Sequence, residues 1–173
     1  MTGPTRTGVA TGSTSHASTP GRAIRAAGYA ACAWALLFAA ANIYWGLGGR
    51  LAAPISDPDA ALADPTFVAL NWLAVVLKGG LGLVALATVQ SWGRVIPRRL
   101  LLIAIYGLGI GMALYGTLGL VVDGLRLLGA LAVPADAWPS LRWHVFLWDP
   151  WWLLGGILFV LAARLRQRRG PGA

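Results

Sequence analysis

The stretch that decides the fold is WHVFLWDPWWLLGGILFVLAARLRQRR, residues 143–169. Trp143, Trp148, Trp151 and Trp152 crowd one end, Arg164, Arg166, Arg168 and Arg169 the other, and oily chain lies between. Indole rings collect at the boundary between membrane and water, and arginines flank the cytoplasmic side of a span. Asp149-Pro150 reads as a helix start, because Asp accepts from free amides and Pro fits the first turn. From there Trp151 to Leu165 is only about 22 Å of helix, short for a bilayer. Val145 to Trp148 must therefore enter the membrane too, which sets the last helix at about 145–165.

The rest of the chain agrees with that solvent. Its 173 residues are 57% hydrophobic and 12% charged, where soluble domains carry about 25% charged residues. Mean hydropathy is +0.66. The net charge of +8 does not read as nucleic-acid binding, because the basic residues flank apolar runs instead of covering one face. Cys32 stands alone, which excludes an intrachain disulfide or a CxxC redox pair. It reads as a small packed residue.

Three further spans precede the last one. Residues 1–22, rich in Thr, Ser, Gly and Pro and including His16, read as a disordered cytoplasmic tail and not as a secretory signal. The remainder, 23–169, is one membrane domain. Helix one is expected at 24–47, with Ala27, Ala31, Ala35 and Ala39 forming a smooth face for close packing. Residues 50–65, with three aspartates and three prolines, form a polar connection. Helix two, at 66–90, places Asn71 and Lys78 on one face, extended by Ala74, Gly82 and Ala85. Helix three, at 100–122 and continuing towards Leu128, carries Gly107, Gly111, Tyr115, Gly119 and Asp123 at four-residue spacing, the pattern that lets backbones approach. Residues 129–141 read as a loop on the membrane surface.

Orientation follows from charge. The tail, the 91–99 loop and the C-terminal segment hold ten arginines and no aspartate, and the opposite connections hold three arginines and all six aspartates. By the positive-inside rule both termini face the cytoplasm, a parity that four crossings satisfy. The fold class is thus all-α, a four-transmembrane-helix bundle, N-in and C-in.

Lys78 is the anomaly. It sits about 16 Å below the outer end of its helix, where a lysine costs on the order of 3 kcal/mol. Ionisable groups at such depth mark candidate sites. A polar cluster of Asn42, Asn71, Lys78, Tyr115, His144 and Asp149 is expected in the outer half of the bundle, with the Lys78 ammonium near Asp149. Three readings stay open for Lys78: a structural ion pair, a ligand or ion site, or snorkelling. Trp45, Trp143, Trp148, Trp151 and Trp152 are expected as membrane-interface anchors.

Several chemistries are argued against. A bis-histidine haem needs a second membrane histidine beside His144. No Cys/His/carboxylate group stands at metal-ligand spacing along the chain, so neither a metal nor a cofactor is expected. No phosphate-cradling loop, dinucleotide fingerprint or serine nucleophile elbow occurs, and no catalytic residue is assigned.

The motifs Tyr44-Trp45-Gly46-Leu47-Gly48-Gly49, the lone Lys78, Trp92-Gly93-Arg94 with Pro97, Trp143-His144, and Leu147-Trp148-Asp149-Pro150-Trp151-Trp152-Leu153-Leu154-Gly155-Gly156 resemble a family of small bacterial four-helix membrane proteins with a domain of unknown function. The resemblance covers about residues 24–165. It implies the fold and a bacterial plasma-membrane location, and it carries no activity. Three functions remain in view. The first is non-enzymatic binding of a lipid, small ligand or membrane partner. The second is a small oligomeric transporter or ion pathway using Lys78 and Asp149. The last is a lipid-modifying enzyme with His144 and Asp149 as acid and base. The bilayer is the expected partner, with a second copy or another membrane protein as further candidates.

Overall fold

The computed structural model describes residues 19–168. The expected tail, with His16, lies outside them except for residues 19–22, which belong to the first helix. That helix, α1, runs Thr19–Gly46; α2 is Pro58–Ala63, α3 Pro65–Leu86 and α4 Arg98–Leu127. The last rod is composite: a 3-10 turn at Ala135–Ala137, α5 at Trp138–Trp143, a π segment at His144–Trp148 and α6 at Asp149–Arg168. Four helical stretches, Gly21–Gly46, Pro65–Leu86, Arg98–Leu127 and Ala135–Arg168, are long and apolar enough to cross a membrane.

The helices lie side by side in the order α3, α1, α6, α4, and α3 scarcely meets α4. The α1 face of Ala27, Ala31, Ala35 and Ala39 is buried as expected, and so is the α3 face of Asn71, Lys78, Gly82 and Ala85. On α4 the buried face is Leu101, Ile105, Gly109, Met112 and Gly116. Gly107 and Gly111 have open space where a Cβ would stand, and Tyr115 is exposed. The close approach to α6 therefore runs through Gly109 and Gly116, displaced by about half a turn from the expected stripe over most of its length. Only Gly119, facing Asp149, joins it.

Three Asp-Pro pairs occur, and they fold in two ways. Asp57 and Asp64 take extended backbone conformations and cap α2 and α3, with Pro58 and Pro65 in the first turn. Asp149 instead has φ −67° and ψ −45°, inside a continuous rod. The helix start expected at Asp149-Pro150 is thus not one. The chain is already helical from Trp138, and the π segment ends where Pro150 withholds its N–H. The Asp149 amide bonds back to the His144 carbonyl, five residues earlier. The segment expected as a surface loop supplies the first turns of this rod.

The tryptophans are mostly interior. Trp45 and Trp148 are buried, and their indole N–H groups donate to the Leu51 and Ala52 carbonyls at 3.1 and 2.8 Å. Trp148 stacks on Phe38 at 5.5 Å, Trp151 stacks on Trp34 at 6.0 Å, and Trp152 meets Phe38 edge-on at 4.9 Å. Trp34 donates to the Trp151 carbonyl at 2.9 Å. The expected interfacial girdle is instead an aromatic core joining α1 to α6. Of that set, Trp143 alone counts as exposed.

Candidate functional site

The six residues expected in one cluster divide into three places. Asn71 donates to the Asn42 carbonyl at 2.9 Å, and Asn42 donates to the Phe38 carbonyl at 2.9 Å. Both are buried, and together they bolt α1 to α3. Lys78 is buried with its Nζ 3.5 Å from the centre of the Phe38 ring and 5.9 Å from that of Trp152. Among the described residues it meets no carboxylate at ion-pair distance, so the expected Lys78–Asp149 contact does not form. The aromatic faces take its charge instead. Tyr115 lies exposed against the edge of Trp152, 5.1 Å between ring centres.

His144 and Asp149 do come together, and a third group joins them. His144 Nδ1 stands 3.7 Å from Asp149 Oδ1. Asp123, one turn beyond Gly119 on α4, closes the group: one ligand atom from each of the three lies within 4.8 Å of the others. Linear spacing along the chain shows no such cluster, because His144 and Asp123 stand on different rods. Folding α4 against the last rod is what assembles it. The signal present in the sequence was Asp123 itself, a carboxylate one turn from a glycine inside an apolar helix.

Each member is positioned by identifiable local structure. The π segment sets His144 and Asp149 on one side of the rod, five residues apart. Gly119 makes room for the carboxylate, since a Cβ there would stand 2.5 Å from Asp149 Oδ1. Gly116 brings the helices together, with Asp149 O 2.7 Å from the place of its Cβ. His144 Nε2 lies 3.3 Å from the Pro54 carbonyl. A carbonyl only accepts, so Nε2 is the donor in that contact, and Nδ1 is the ring nitrogen that faces Asp149.

Asp149 is 1% exposed, and its Oδ2 has no hydrogen-bond partner among the described residues. Asp123 Oδ1 accepts from Arg126 at 2.7 Å. A cavity of about 380 Å³, lined by Asp123, Arg126, Ser140 and His144 among others, reaches this group from the end of the bundle.

A family described as "Protein of unknown function (DUF3995)" matches residues 35–159, more than half of the chain. The chain belongs to this family. No curated protein and no solved structure matches it. The span matched to DUF3995 contains Asp123, His144 and Asp149 together with Lys78 and the aromatic core except Trp34, which stands one residue before it. It ends before Arg164 and begins after Arg25. The DUF3995 description gives no activity, so any function must come from the chemistry of the site.

Proposed function

We propose that this protein is a non-enzymatic membrane protein that binds a small cationic ligand at the Asp123–His144–Asp149 group, and that the ligand is a first-row divalent metal ion. One observation carries the reading: ligand atoms of Asp123, His144 and Asp149 converge to within 4.8 Å, and the buried Asp149 carboxylate keeps one oxygen, Oδ2, without a hydrogen-bond partner among the described residues. Two carboxylates beside one imidazole repel each other unless positive charge lies among them. Leaving a carboxylate unpaired away from water is expensive.

The donor set suits the class of ion. One imidazole and two carboxylates fit Zn²⁺ or Mn²⁺ and lack the thiolates that select copper(I). The Nε2–H bond to a backbone carbonyl is the outer contact that fixes a metal-binding histidine's tautomer and ring orientation. Ligand atoms of a tetrahedral site with bonds of about 2.1 Å stand about 3.4 Å apart. A group spread over 4.8 Å closes to that by a small swing of Asp123, whose second oxygen Arg126 leaves open. Lys78 and Asp149 do not meet, so nothing in the geometry favours an ion pathway through that pair.

The test is metal retention. Full-length protein in zwitterionic nanodiscs, stripped with chelator and dialysed against Zn²⁺ or Mn²⁺, should hold about one equivalent by elemental mass spectrometry. Asp149→Asn and His144→Gln should each lower affinity by about 10–100-fold while keeping the helical circular dichroism. Stripped wild-type protein that takes up neither ion, or an Asp149→Asn variant that holds as much as wild type, would overturn the reading.

A further inference from the structure

The opposite end of the molecule carries a second site, independent of the first. We infer that the cavity between α1, the 91–97 turn and the end of α6 binds a phosphate-bearing anion, of the kind found in an anionic lipid headgroup. The cavity measures about 740 Å³, and Arg25, Arg94, Arg98 and Arg166 line it. No aspartate lines it, and all six aspartates of the sequence belong to the other connections or to the outer cluster.

The walls are built for the purpose. α3 ends at Leu86, and a 3-10 turn, Ser91–Val95, folds back over it. Gly93 permits the fold: a Cβ there would stand 2.6 Å from the Ala87 carbonyl carbon. The next residue, Arg94, is thereby delivered to the cavity, which gives the Trp92-Gly93-Arg94 motif a physical role. Arg166 donates to the Thr88 carbonyl, and its Nε is buried without a hydrogen-bond partner among the described residues. Arg98 donates to the Gln167 carbonyl at 2.8 Å, tying α4 to the end of α6.

Arg25, Arg94 and Arg166 bring three guanidinium groups to a cavity that no aspartate lines, and a multivalent anion stabilises that arrangement. Phosphate matches their planar forks in charge and geometry. The wall is also partly oily, through Ile24, Val89, Val95 and Ile96. A free phosphate has no use for that surface, whereas the glycerol and first methylenes of a lipid do. Basic pockets between helices on the cytoplasmic side are suited to such headgroups, and the charge count places this end there.

Native mass spectrometry of the full chain released from nanodiscs containing phosphatidylglycerol and phosphatidylcholine tests this. Wild type should retain phosphatidylglycerol in preference to phosphatidylcholine. The Arg25→Gln/Arg94→Gln variant alters two exposed arginines and should lose about 25-fold in retention. An Arg164→Gln/Arg168→Gln control changes the charge equally outside the cavity and should lose less than about threefold. A parallel arm titrates inorganic phosphate into protein in phosphatidylcholine nanodiscs. Saturable phosphate binding that needs Arg25 and Arg94, without lipid preference, assigns the site to a soluble anion. Equal losses in both double variants, or no anion retained in either arm, would overturn the inference. Circular dichroism of both variants checks that the fold is kept.

Discussion

Gly119→Ala separates the Asp149 carboxylate from the rest of the packing. The added methyl would stand 2.5 Å from Asp149 Oδ1, 2.7 Å from its Cγ and 3.1 Å from its Oδ2. All three are side-chain atoms, so the carboxylate can swing aside while α4 and α6 stay together. Overpacking of this kind costs about 1–3 kcal/mol, and alanine's helix preference over glycine offsets about 1 kcal/mol. The net loss of stability is then about 0–2 kcal/mol. Metal affinity should fall much further, by about 10–100-fold, because a displaced carboxylate no longer shares a centre with His144 and Asp123. Gly116→Ala should behave in the opposite sense. Its methyl would meet Leu153 N at 2.5 Å and Asp149 O at 2.7 Å, backbone atoms that no rotamer relieves. The helices must part, at a loss of about 3 kcal/mol or more, which lowers the melting temperature by about 6–12 °C. Gly107→Ala and Gly111→Ala meet nothing within 4 Å and should be neutral or stabilising by up to about 1 kcal/mol. Thermal unfolding in detergent, followed by circular dichroism, ranks the four, and elemental analysis gives their metal content. Undiminished metal retention in Gly119→Ala, or Gly116→Ala as stable as Gly107→Ala, would refute the reasoning.

Two further outcomes follow from the same packing. Lys78→Met should change stability by under about 2 kcal/mol, because the cation–π contact it removes and the burial of charge it relieves are of similar size. It should leave metal retention unchanged, and a loss of metal in this variant would mean that Lys78 acts on Asp149 after all. Trp34→Phe removes the 2.9 Å hydrogen bond to the Trp151 carbonyl and part of the stack on Trp151. It should cost about 1–2 kcal/mol, read as a lower melting temperature, and an unchanged midpoint would count against the aromatic core as the joint between α1 and α6.

What the sequence made legible was periodic and local. The four spans show as apolar runs, the alanine face of α1 as a four-residue repeat, and the buried face of α3 as the spacing of Asn71, Lys78, Gly82 and Ala85. The misreadings share a cause, which is that partners distant along the chain decide between two local options. An Asp-Pro pair starts a helix at Asp57 and Asp64 but lies within one at Asp149, because eleven residues before it are already wound against α4 and the 50–55 loop. A tryptophan suits a headgroup boundary or a protein interior equally well. The carbonyls of Leu51, Ala52 and Trp151 decide for the interior by accepting the N–H groups of Trp45, Trp148 and Trp34. Asp123 stands in the four-residue stripe of α4, but its pairing with Asp149 shows in no spacing, since Gly116 and Gly119 match the two helices only where they meet.

For both proposed sites we infer a single arrangement from the charge count: four crossings, with the arginine-lined end inside the cell and the Asp123–His144–Asp149 end outside. Cysteine accessibility in intact cells measures this most directly, in a Cys32→Ala background carrying either Arg94→Cys or Asp59→Cys. A membrane-impermeant maleimide should label position 59 at once and position 94 only after permeabilisation. Labelling of position 94 from outside, or equal labelling of the two, would contradict the account.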